Sequence, residues 1–369
     1  MILLRYLLLP FSLVYGAVIF LRNLLYDFGI FPVKEFKTGV ISIGNLSVGG
    51  TGKTPMTEYL IRLLKDKFPV ATLSRGYGRN TSGFLIAGKD ATSFQIGDEP
   101  LQFKRKFPDT IISVDTNRKH GIKKLFSLHP ELKAILMDDA FQHRRVKPGL
   151  SILLSDYGKI FYDDFLLPAG TLREWRSGKK RADIIVVTKC PDNLSPVEKR
   201  IFIKKINPDP HQHVLFSHVK YVRPTPALPI REGEHKMQVL HFGEDLGGAS
   251  IILLTGISNP KPLEEYLKKK SNIIRSFNYP DHHEFSIVEA NEVAEAFKTI
   301  SAENKCIITT EKDAMRMDKP GLVEILGKLP VYYIPIETTF DEKEKEEFNQ
   351  LITNYIFRTN TKNIDLQRK

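Results

Sequence analysis

The sequence predicts an α/β protein whose main sheet is mostly parallel, and two observations carry this prediction. Short apolar runs rich in β-branched residues recur through the first half of the chain, and segments of helical or loop character separate most of them. The runs lie at residues 40–43, 70–73, 110–114, 134–137, 151–154 and 183–188. Strands that alternate with helical connections are typical of a parallel sheet covered on both faces.

The composition changes after residue 207, where prolines and scattered histidines interrupt the alternation. We predict a linker there with two extended strands, at 214–222 and 237–242. A smaller α/β domain follows, with strands at 251–255, 306–309 and 331–334 and a helix near 263–269. The predicted parts are an N-terminal membrane-anchor helix (1–33), a main domain (34–213), a β linker (214–250) and a smaller C-terminal α/β domain (251–369).

The overall composition is that of a globular protein with an anionic partner. Of 369 residues, 42% are apolar and 26% are charged, and the formal net charge is +11. This excess suits a membrane surface, a phosphorylated substrate or nucleic acid. The basic residues are scattered and form no recognisable nucleic-acid-reading motif, so we expect no nucleic acid. Cys190 and Cys306 stand far apart, which argues against a disulfide framework or a zinc site.

The N-terminus predicts a membrane-associated helix. Residues 6–21 carry no charge and are flanked by Arg5 and Arg22. Such a helix is about 24 Å long, slightly short of a hydrocarbon core of about 30 Å, and arginine side chains can snorkel to the headgroups. A cleaved signal peptide and a buried core helix are the alternatives. The pattern leaves open whether the helix spans the bilayer or lies in its interface, and Lys34 and Lys37 favour a cytoplasmic main body.

The segment after the first predicted strand has the composition of a phosphate-binding loop. Its glycines let backbone N–H groups converge on phosphate oxygens, and a helical stripe follows from Pro55. Lys53 would reach the β- and γ-phosphates, and the Thr54 hydroxyl would bind Mg²⁺. Ser47 occupies the place of the usual first glycine, which weakens the pattern match more than the mechanism. We predict nucleotide contacts from Ser47, Val48, Gly49, Gly50, Thr51, Gly52, Lys53 and Thr54.

A second set of polar residues follows a later strand. That strand ends in Asp138 and Asp139, where an acid of a P-loop protein orients Mg²⁺. Gln142 and His143 follow in a basic segment that either contacts phosphates or forms an exposed turn. The run "TKCPD" comes close to a guanine-reading pattern, but Pro191 stands where that pattern has its aspartate. We therefore expect ATP and Mg²⁺.

Two further clusters are candidates for handling the phosphate acceptor. Phosphoryl transfer to a hydroxyl group needs a carboxylate or an imidazole that takes the proton. "GDEP" contains Asp98 and Glu99, and "PDHHEF" contains His282 and His283. From the residues alone, each cluster is as well explained by a capped turn as by a site.

Eight motifs between about residue 40 and residue 316 together carry a family resemblance. They are "GNLSVGGTGKTP", "SRGYGR", "GDEP", "MDDAFQHRR", "LLPAGTLRE", "IIVVTKCP", "PDHHEF" and "TEKDAMR". In this series the chain closely resembles the tetraacyldisaccharide 4′-kinases, the lipid A 4′-kinases of Gram-negative bacteria. The resemblance implies a P-loop NTPase-like kinase domain, a smaller α/β domain and a two-stranded linker. It also implies transfer of the ATP γ-phosphate to the 4′-hydroxyl of a tetraacylated glucosamine disaccharide 1-phosphate, giving lipid IVA.

The resemblance also assigns roles to residues of this sequence. It implies Asp98 and His282 as catalytic residues, with His283 as the fallback for His282, and Lys53 of the loop completes our catalytic set. It implies that Glu99, Asp138 and Asp139 handle Mg²⁺, together with Thr54 of the loop. It places Arg75, Arg79 and Arg173 near phosphates or the sugar head group, where we also expect Gln142, His143 and His283. Trp175 departs from the family, where proline commonly follows Leu-Arg-Glu, and this leaves the local loop shape open.

The expected partners are the lipid disaccharide substrate and the lipid surface of the inner membrane, on its cytoplasmic face. We expect no required protein partner and a monomer. The alternative is a membrane-associated P-loop ATPase that acts as a switch for a protein partner. Such proteins typically carry an extra lysine just before the paired glycines, where this chain has Val48.

Overall fold

A computed structural model of the protein describes residues 2–36, 38–228, 246–281 and 283–367. The predicted strand at 237–242 and the predicted catalytic residue His282 lie outside this description. The helices are, in chain order, α1 (Ile2–Asp27), α2 (Lys53–Leu64), α3 (Ser93–Ile96), α4 (Asp98–Lys106), α5 (Arg118–Leu128), α6 (Pro196–Ile206), α7 (Lys261–Lys268), α8 (Ile287–Thr299), α9 (Glu311–Met317), α10 (Pro320–Leu326) and α11 (Glu342–Gln367).

The strands of the described residues fall into two main sheets and one short pair. They are β1 (Lys34–Glu35), β2 (Gly39–Asn45), β3 (Val70–Ser74), β4 (Leu85–Ile86), β5 (Ile111–Val114), β6 (Ala134–Met137), β7 (Val146–Lys147), β8 (Leu150–Asp156), β9 (Ile184–Cys190), β10 (His213–Tyr221), β11 (Thr225–Pro226), β12 (Ser250–Thr255), β13 (Asn272–Asn278), β14 (Lys305–Thr310), β15 (Val331–Ile334) and β16 (Ile336–Phe340). The chain divides into two compact units, the first formed by Met1–Lys220 and Glu337–Lys369 and the second by Tyr221–Ile336.

The first unit is built on a nine-stranded sheet in the order β16-β10-β9-β8-β2-β6-β3-β5-β4. Neighbours from β10 to β5 are parallel, and β4 joins β5 antiparallel. Strands β2, β3 and β6 are buried along their whole length, which explains their continuous apolar sequence. Because β2 lies between β8 and β6, the segments that follow these parallel strands meet at one edge of the sheet. The predicted α/β class is confirmed.

The C-terminal helix α11 belongs to the first unit, in contrast to the predicted domain 251–369. Its side chains Phe348 and Ile352 are fully buried. The Tyr59 ring of α2 meets the Phe348 ring edge-on at 5.7 Å, and the Val40 amide donates to the Tyr355 hydroxyl at 3.1 Å. These contacts bury an apolar stripe of α11 against the main sheet, so residues 337–369 return to the first unit.

The predicted β linker (214–250) also differs from the structure. Strand β10 pairs in parallel with β9 and buries Leu215 and Phe216, so it is an integral strand of the main sheet. Its other neighbour is β16, which brings the chain back into the first unit. The short β11 pairs with β15 in the second sheet. Burial of the β10 side chains against β9 is the physical reason why this segment is not a free connection.

The second unit contains a five-stranded sheet in the order β11-β15-β14-β12-β13, parallel except for β11. Leu253 and Ile308 of its central strands are fully buried and pack with Leu267 of α7. Helix α8 begins with a capping box, in which the Ser286 side chain accepts from the Glu289 amide and the Glu289 carboxylate accepts from the Ser286 amide. This cap fixes the segment that precedes α8, which carries "PDHHEF".

Candidate active site

The glycine-rich loop, which has the composition of a phosphate-binding loop, connects β2 to α2 at the edge of the sheet where the parallel strands end. Gly49 (φ 110°) and Gly52 (φ 83°) adopt left-handed backbone conformations that a side chain would strain. Ser47 is buried, forms an antiparallel bridge with Leu172, and is not among the described non-glycine residues with positive φ. The backbone at position 47 therefore does not require glycine. Helix α2 begins at Lys53, so its first N–H groups face the loop.

Hydrogen bonds from outside the loop hold its shape. The Asn45 side chain donates to the Thr51 hydroxyl at 2.8 Å, and the Thr188 hydroxyl donates to the Thr51 carbonyl at 2.9 Å. The Val48 amide donates to the Thr171 carbonyl at 2.8 Å. Lys189, in the run that resembles a guanine-reading motif, donates to the Gly50 carbonyl. The loop is thus braced by the ends of β2 and β9 and by the segment before Arg173, which fixes the backbone donors in advance.

Two cations converge on Asp139 beside this loop. The Lys53 Nζ lies 3.7 Å from Asp139 Oδ1, and Arg173 Nη1 donates to the same oxygen at 3.1 Å. Burial acts to raise the pKa of Asp139, but the Lys53 and Arg173 charges outweigh it and hold that pKa below its usual value. Asp139 is therefore an anion that orients both cations. The structure brings the predicted site residues Lys53, Asp139 and Arg173 together.

Asp138 has the opposite environment. Its side chain is buried and accepts a hydrogen bond from the Thr57 hydroxyl at 3.2 Å. Burial, followed by the negative charges of Glu99 and Asp139, raises the pKa of Asp138 to about 7. A carboxyl group in this state readily exchanges its proton for a cation.

The carboxylates near Asp138 suit a hard cation. Glu99 and Asp139 lie close enough for their charges to raise the pKa of Asp138, and carboxylate oxygens are the ligand type that Mg²⁺ prefers. The predicted Mg²⁺ residue Thr54 is the second residue of α2. No group of three or more His, Cys, Asp or Glu side chains that could hold a metal ion occurs within the described ranges. A P-loop site does not need one, since nucleotide phosphates and water complete the magnesium shell.

The "GDEP" and "SRGYGR" segments touch each other. Gly97 (φ 90°) precedes α4, and a Cβ atom at this position would meet the Tyr77 carbonyl oxygen at 2.7 Å. Asp98 and Glu99 form the first turn of α4 and are half-buried. Arg79 Nη2 donates to the Gly83 carbonyl at 2.7 Å, which joins the end of the "SRGYGR" segment to the residues that follow it.

The predicted arginines of the "SRGYGR" loop differ in their surroundings. Arg75 is exposed, whereas burial lowers the pKa of Arg79. The positive charge of Arg75 adds to the causes that lower the pKa values of Arg118 and His143.

Gln142 and His143 are partly buried rather than exposed. Gln142 donates to the Asn45 carbonyl at 2.7 Å and to Glu174 at 3.0 Å. Burial, aided by the Arg118 charge, lowers the pKa of His143 to about 4, so its ring is neutral at pH 7. Its Nε2 atom is buried and has no hydrogen-bond partner among the described residues. A neutral, unsatisfied imidazole of this kind is suited to a hydroxyl ligand.

A cleft of about 720 Å³ lies between His143 and helix α1. Its lining mixes apolar residues with polar and cationic ones. The apolar lining residues are Val18, Leu21, Leu25, Tyr26 and Phe31. The polar and cationic lining residues are Arg22, Thr116, Asn117, His143, Arg144 and Arg145. The cleft therefore suits an amphiphile with an anionic head group.

Helix α1 is long and apolar enough to cross a membrane, and only 11% of its most apolar stretch is buried. It is nevertheless fixed to the first unit. The Ser12 hydroxyl donates to the Leu166 carbonyl at 3.0 Å, the Tyr15 hydroxyl to the Arg173 carbonyl at 2.8 Å, and the Trp175 indole to the Gly16 carbonyl at 2.8 Å. Trp175, which departs from the family pattern, thus attaches α1 to the loop that carries Arg173.

His283, the fallback catalytic residue, lies in the second unit and has close neighbours there. Its Nε2 is 2.9 Å from Glu289 Oε1, and its ring stacks on the Tyr279 ring at 4.4 Å. Phe285 meets the same imidazole edge-on at 5.3 Å. These contacts fix His283 as part of the segment before α8.

Sequence reasoning missed several residues of the site. Arg118 is fully buried and donates to the Asp138 carbonyl at 3.2 Å. Glu174 binds Arg181 with both oxygens at 2.8 Å and also accepts from Asn23 of α1 at 3.2 Å. In the sequence, Glu174 stands out only as the last residue of the "LLPAGTLRE" motif, and Arg118 lies outside all eight motifs. Their importance comes from partners far away in the sequence.

Comparisons with known proteins agree over nearly the whole chain. Residues 4–356 match a family model, LpxK, described as tetraacyldisaccharide-1-P 4′-kinase. Relatives named tetraacyldisaccharide 4′-kinase occur in Bacteroides thetaiotaomicron, 47% identical over 96% of this chain and 93% of the relative, and in Flavobacterium johnsoniae, 43% identical over 96% and 98%. The crystal structure of LpxK from Aquifex aeolicus in complex with ATP is similar with a TM-score of 0.71 and 27% identity, covering 96% of this chain and 99% of that chain. The chain therefore belongs to the tetraacyldisaccharide-1-phosphate 4′-kinase family.

Proposed function

We propose that this protein is an ATP-dependent kinase that phosphorylates the 4′-hydroxyl of a tetraacyldisaccharide 1-phosphate and so forms lipid IVA. The observation that carries the proposal is a cleft lined by both apolar and cationic residues, whose neighbours in the chain contact the segment before the glycine-rich loop. Gln142, next to the cleft residue His143, donates to the Asn45 carbonyl just before that loop. Arg118, next to the cleft residue Asn117, donates to the Asp138 carbonyl. An amphiphile and a nucleotide thus have adjoining sites in one unit.

On the nucleotide side, the loop amides and the N-terminus of α2 bind phosphate oxygens. Lys53 neutralises charge that develops on the transferred group, and Asp139 keeps Lys53 and Arg173 directed towards it. Thr54 and Asp138, with Glu99 and Asp139 nearby, are the residues that would hold Mg²⁺, which would neutralise phosphate charge.

On the acceptor side, the 4′-hydroxyl oxygen forms a bond to the γ-phosphorus while the bond from that phosphorus to the bridging oxygen breaks. ADP leaves with the electron pair, and the Asp98 carboxylate takes the hydroxyl proton. His282 is the predicted partner of Asp98, and it remains a prediction. Neutral His143 and the exposed Arg75 are suited to the sugar hydroxyls and the substrate phosphate.

On the lipid side, the apolar surface of α1 lets the enzyme meet its substrate in the membrane. Leu7, Phe11 and Val14 are exposed on this helix, and burying each in lipid contributes about 1.5–3 kcal/mol. The net charge of +11 favours an anionic leaflet. We propose the cytoplasmic face of the inner membrane as the location, with the protein acting as a monomer that needs no protein partner.

The test is to incubate the purified protein with γ-labelled ATP and the disaccharide lipid in mixed micelles. Label is expected in the lipid, and Asp98→Ala should lower the rate by about 10²–10⁴-fold while ATP binding is retained. Label that appears only as free phosphate would favour the switch ATPase instead. An Asp98→Ala variant that transfers at the normal rate would remove Asp98 from its role.

A further inference from the structure

Glu58 is a carboxylate buried in α2, the helix that begins at the phosphate loop. Its side chain is 1% exposed. The preceding residue, Thr57, donates to Asp138 at 3.2 Å, and Lys53 lies five positions earlier on the same helix. A buried carboxylate is costly unless its oxygens are hydrogen-bonded and its charge is paired. The hydrogen-bond partners of Glu58 therefore indicate the structural role of this buried carboxylate.

Two of these partners come from α4. Gln102 Nε2 donates to Glu58 Oε1 at 2.8 Å, and Lys106 Nζ donates to Oε2 at 2.7 Å. Gln102 and Lys106 are four residues apart and so share one face of α4. Arg62 of α2 approaches Oε2 at 3.3 Å. The carboxylate thus joins α2 to α4 with one directional bond to each of two successive turns.

Helix α4 is the helix whose first residue is Asp98. Gln102 lies one turn from Asp98, which is about 6 Å along the helix axis. The same helix is also attached through apolar side chains, since Phe103 is fully buried and Leu101 nearly so. Apolar contacts of this kind tolerate small sliding, whereas hydrogen bonds of 2.7–2.8 Å to a fixed carboxylate do not.

We propose that Glu58 is a positioning residue for phosphoryl transfer, an inference that rests on the proposed kinase function. Through Gln102 and Lys106, it fixes α4 against the phosphate-loop helix. That contact sets the separation between Lys53 at the start of α2 and Asp98 at the start of α4. A well-packed apolar contact could hold α2 against α4 equally well. We therefore attribute the buried Glu58 carboxylate to its geometry, because its hydrogen bonds specify one relative position of the two helices.

The first test is Lys106→Met. This substitution removes the ammonium group that donates to Glu58 and keeps the aliphatic part of the side chain. Lys104→Met is the matched control, because Lys104 lies on the same helix and its Nζ donates to the Pro108 carbonyl at the surface and not to Glu58. We expect Lys106→Met to lower kcat for lipid phosphorylation by about 10–100-fold, the cost of a displacement of about 1 Å at a reacting group. The dissociation constant for ATP should stay within about threefold, since the phosphate loop is untouched.

The second test uses Glu58→Gln and the double variant Glu58→Gln/Lys106→Met. If both residues act through one contact, the double variant should lose no more kcat than the worse single variant. A merely structural role would lower the melting temperature while kcat and KM remained within twofold of those of Lys104→Met, and that result would overturn the inference. Wild-type protein is assayed first: no label in the lipid would refute the kinase function and the inference with it. Normal wild-type transfer with unaffected variants refutes only the role of Glu58.

Discussion

The environment of Asp138 predicts that the protein gives up stability for its active site. Burial and the neighbouring carboxylates raise the pKa of Asp138 from 3.8 to about 7. The unfolded chain releases this proton near pH 4, whereas the metal-free folded protein keeps it to near pH 7. Between these values the folded state binds more protons than the unfolded state, so the free energy of unfolding falls as the pH rises. Above about pH 7 the whole penalty is present.

The size of the penalty follows from the pKa difference. A change from 3.8 to about 7 corresponds to about 4 kcal/mol, at about 1.4 kcal/mol for each pH unit. Asparagine is close in shape and cannot ionise. Asp138→Asn should therefore raise the free energy of unfolding of the metal-free protein by up to about 4 kcal/mol at pH 8 and change it little near pH 4.

The assay is thermal unfolding in detergent with a chelator, at pH 5 and pH 8. Asp139→Asn is the matched control with the opposite sign, because Lys53 and Arg173 hold the pKa of Asp139 below its usual value. A carboxylate of this kind stabilises the fold above its unfolded pKa, so its amide variant should be destabilised at both pH values. The reasoning would be refuted if both variants were stabilised, or both destabilised, at pH 8. It would also be refuted if the wild-type melting temperature were the same at pH 5 and pH 8. From the Mg²⁺ role proposed for Asp138, we also predict that Asp138→Asn abolishes phosphoryl transfer and that Mg²⁺ with ATP stabilises the wild type but not this variant.

Three further predictions concern other parts of the molecule. Trp175→Phe removes the indole donor to the Gly16 carbonyl, which should cost about 1 kcal/mol and increase hydrogen exchange in α1; unchanged protection would contradict this attachment. Asp313→Asn removes the charge that pairs with Arg316 Nη1 at 3.0 Å and weakens the bond from the Gly256 amide. Because a hydrogen bond to a charged group contributes about 1.5–3 kcal/mol, the variant should lose about that much free energy of unfolding in the second unit, while ATP binding by the first unit is retained; equal loss in both units would argue against a local role. Ser47→Gly should leave the dissociation constant for ATP within about threefold, because the backbone at position 47 does not need glycine; a much tighter complex would show that serine strains the loop.

Local sequence determined much of the fold and the nucleotide part of the site. A strand buried on both faces must be a continuous apolar run, so β2, β3 and β6 were visible in the sequence. A phosphate loop must be glycine-rich between a strand and a helix, and an acid must end a neighbouring strand. These requirements act over a few residues, and the positions of Lys53 and Asp139 therefore followed from the sequence.

Only the tertiary structure decided which distant residues complete the site. Val40 and Tyr355 are 315 positions apart, and their hydrogen bond is part of what returns α11 to the first unit. In the sequence, Glu58 is one charged residue of a predicted amphipathic helix and shows no sign of being buried. Its proposed role depends on Lys106, which lies on another helix. The attachment of Trp175 to Gly16 likewise joins segments 159 positions apart. Such contacts have no local signature, because the choice of partner is made by packing of the whole unit and the closure of long loops.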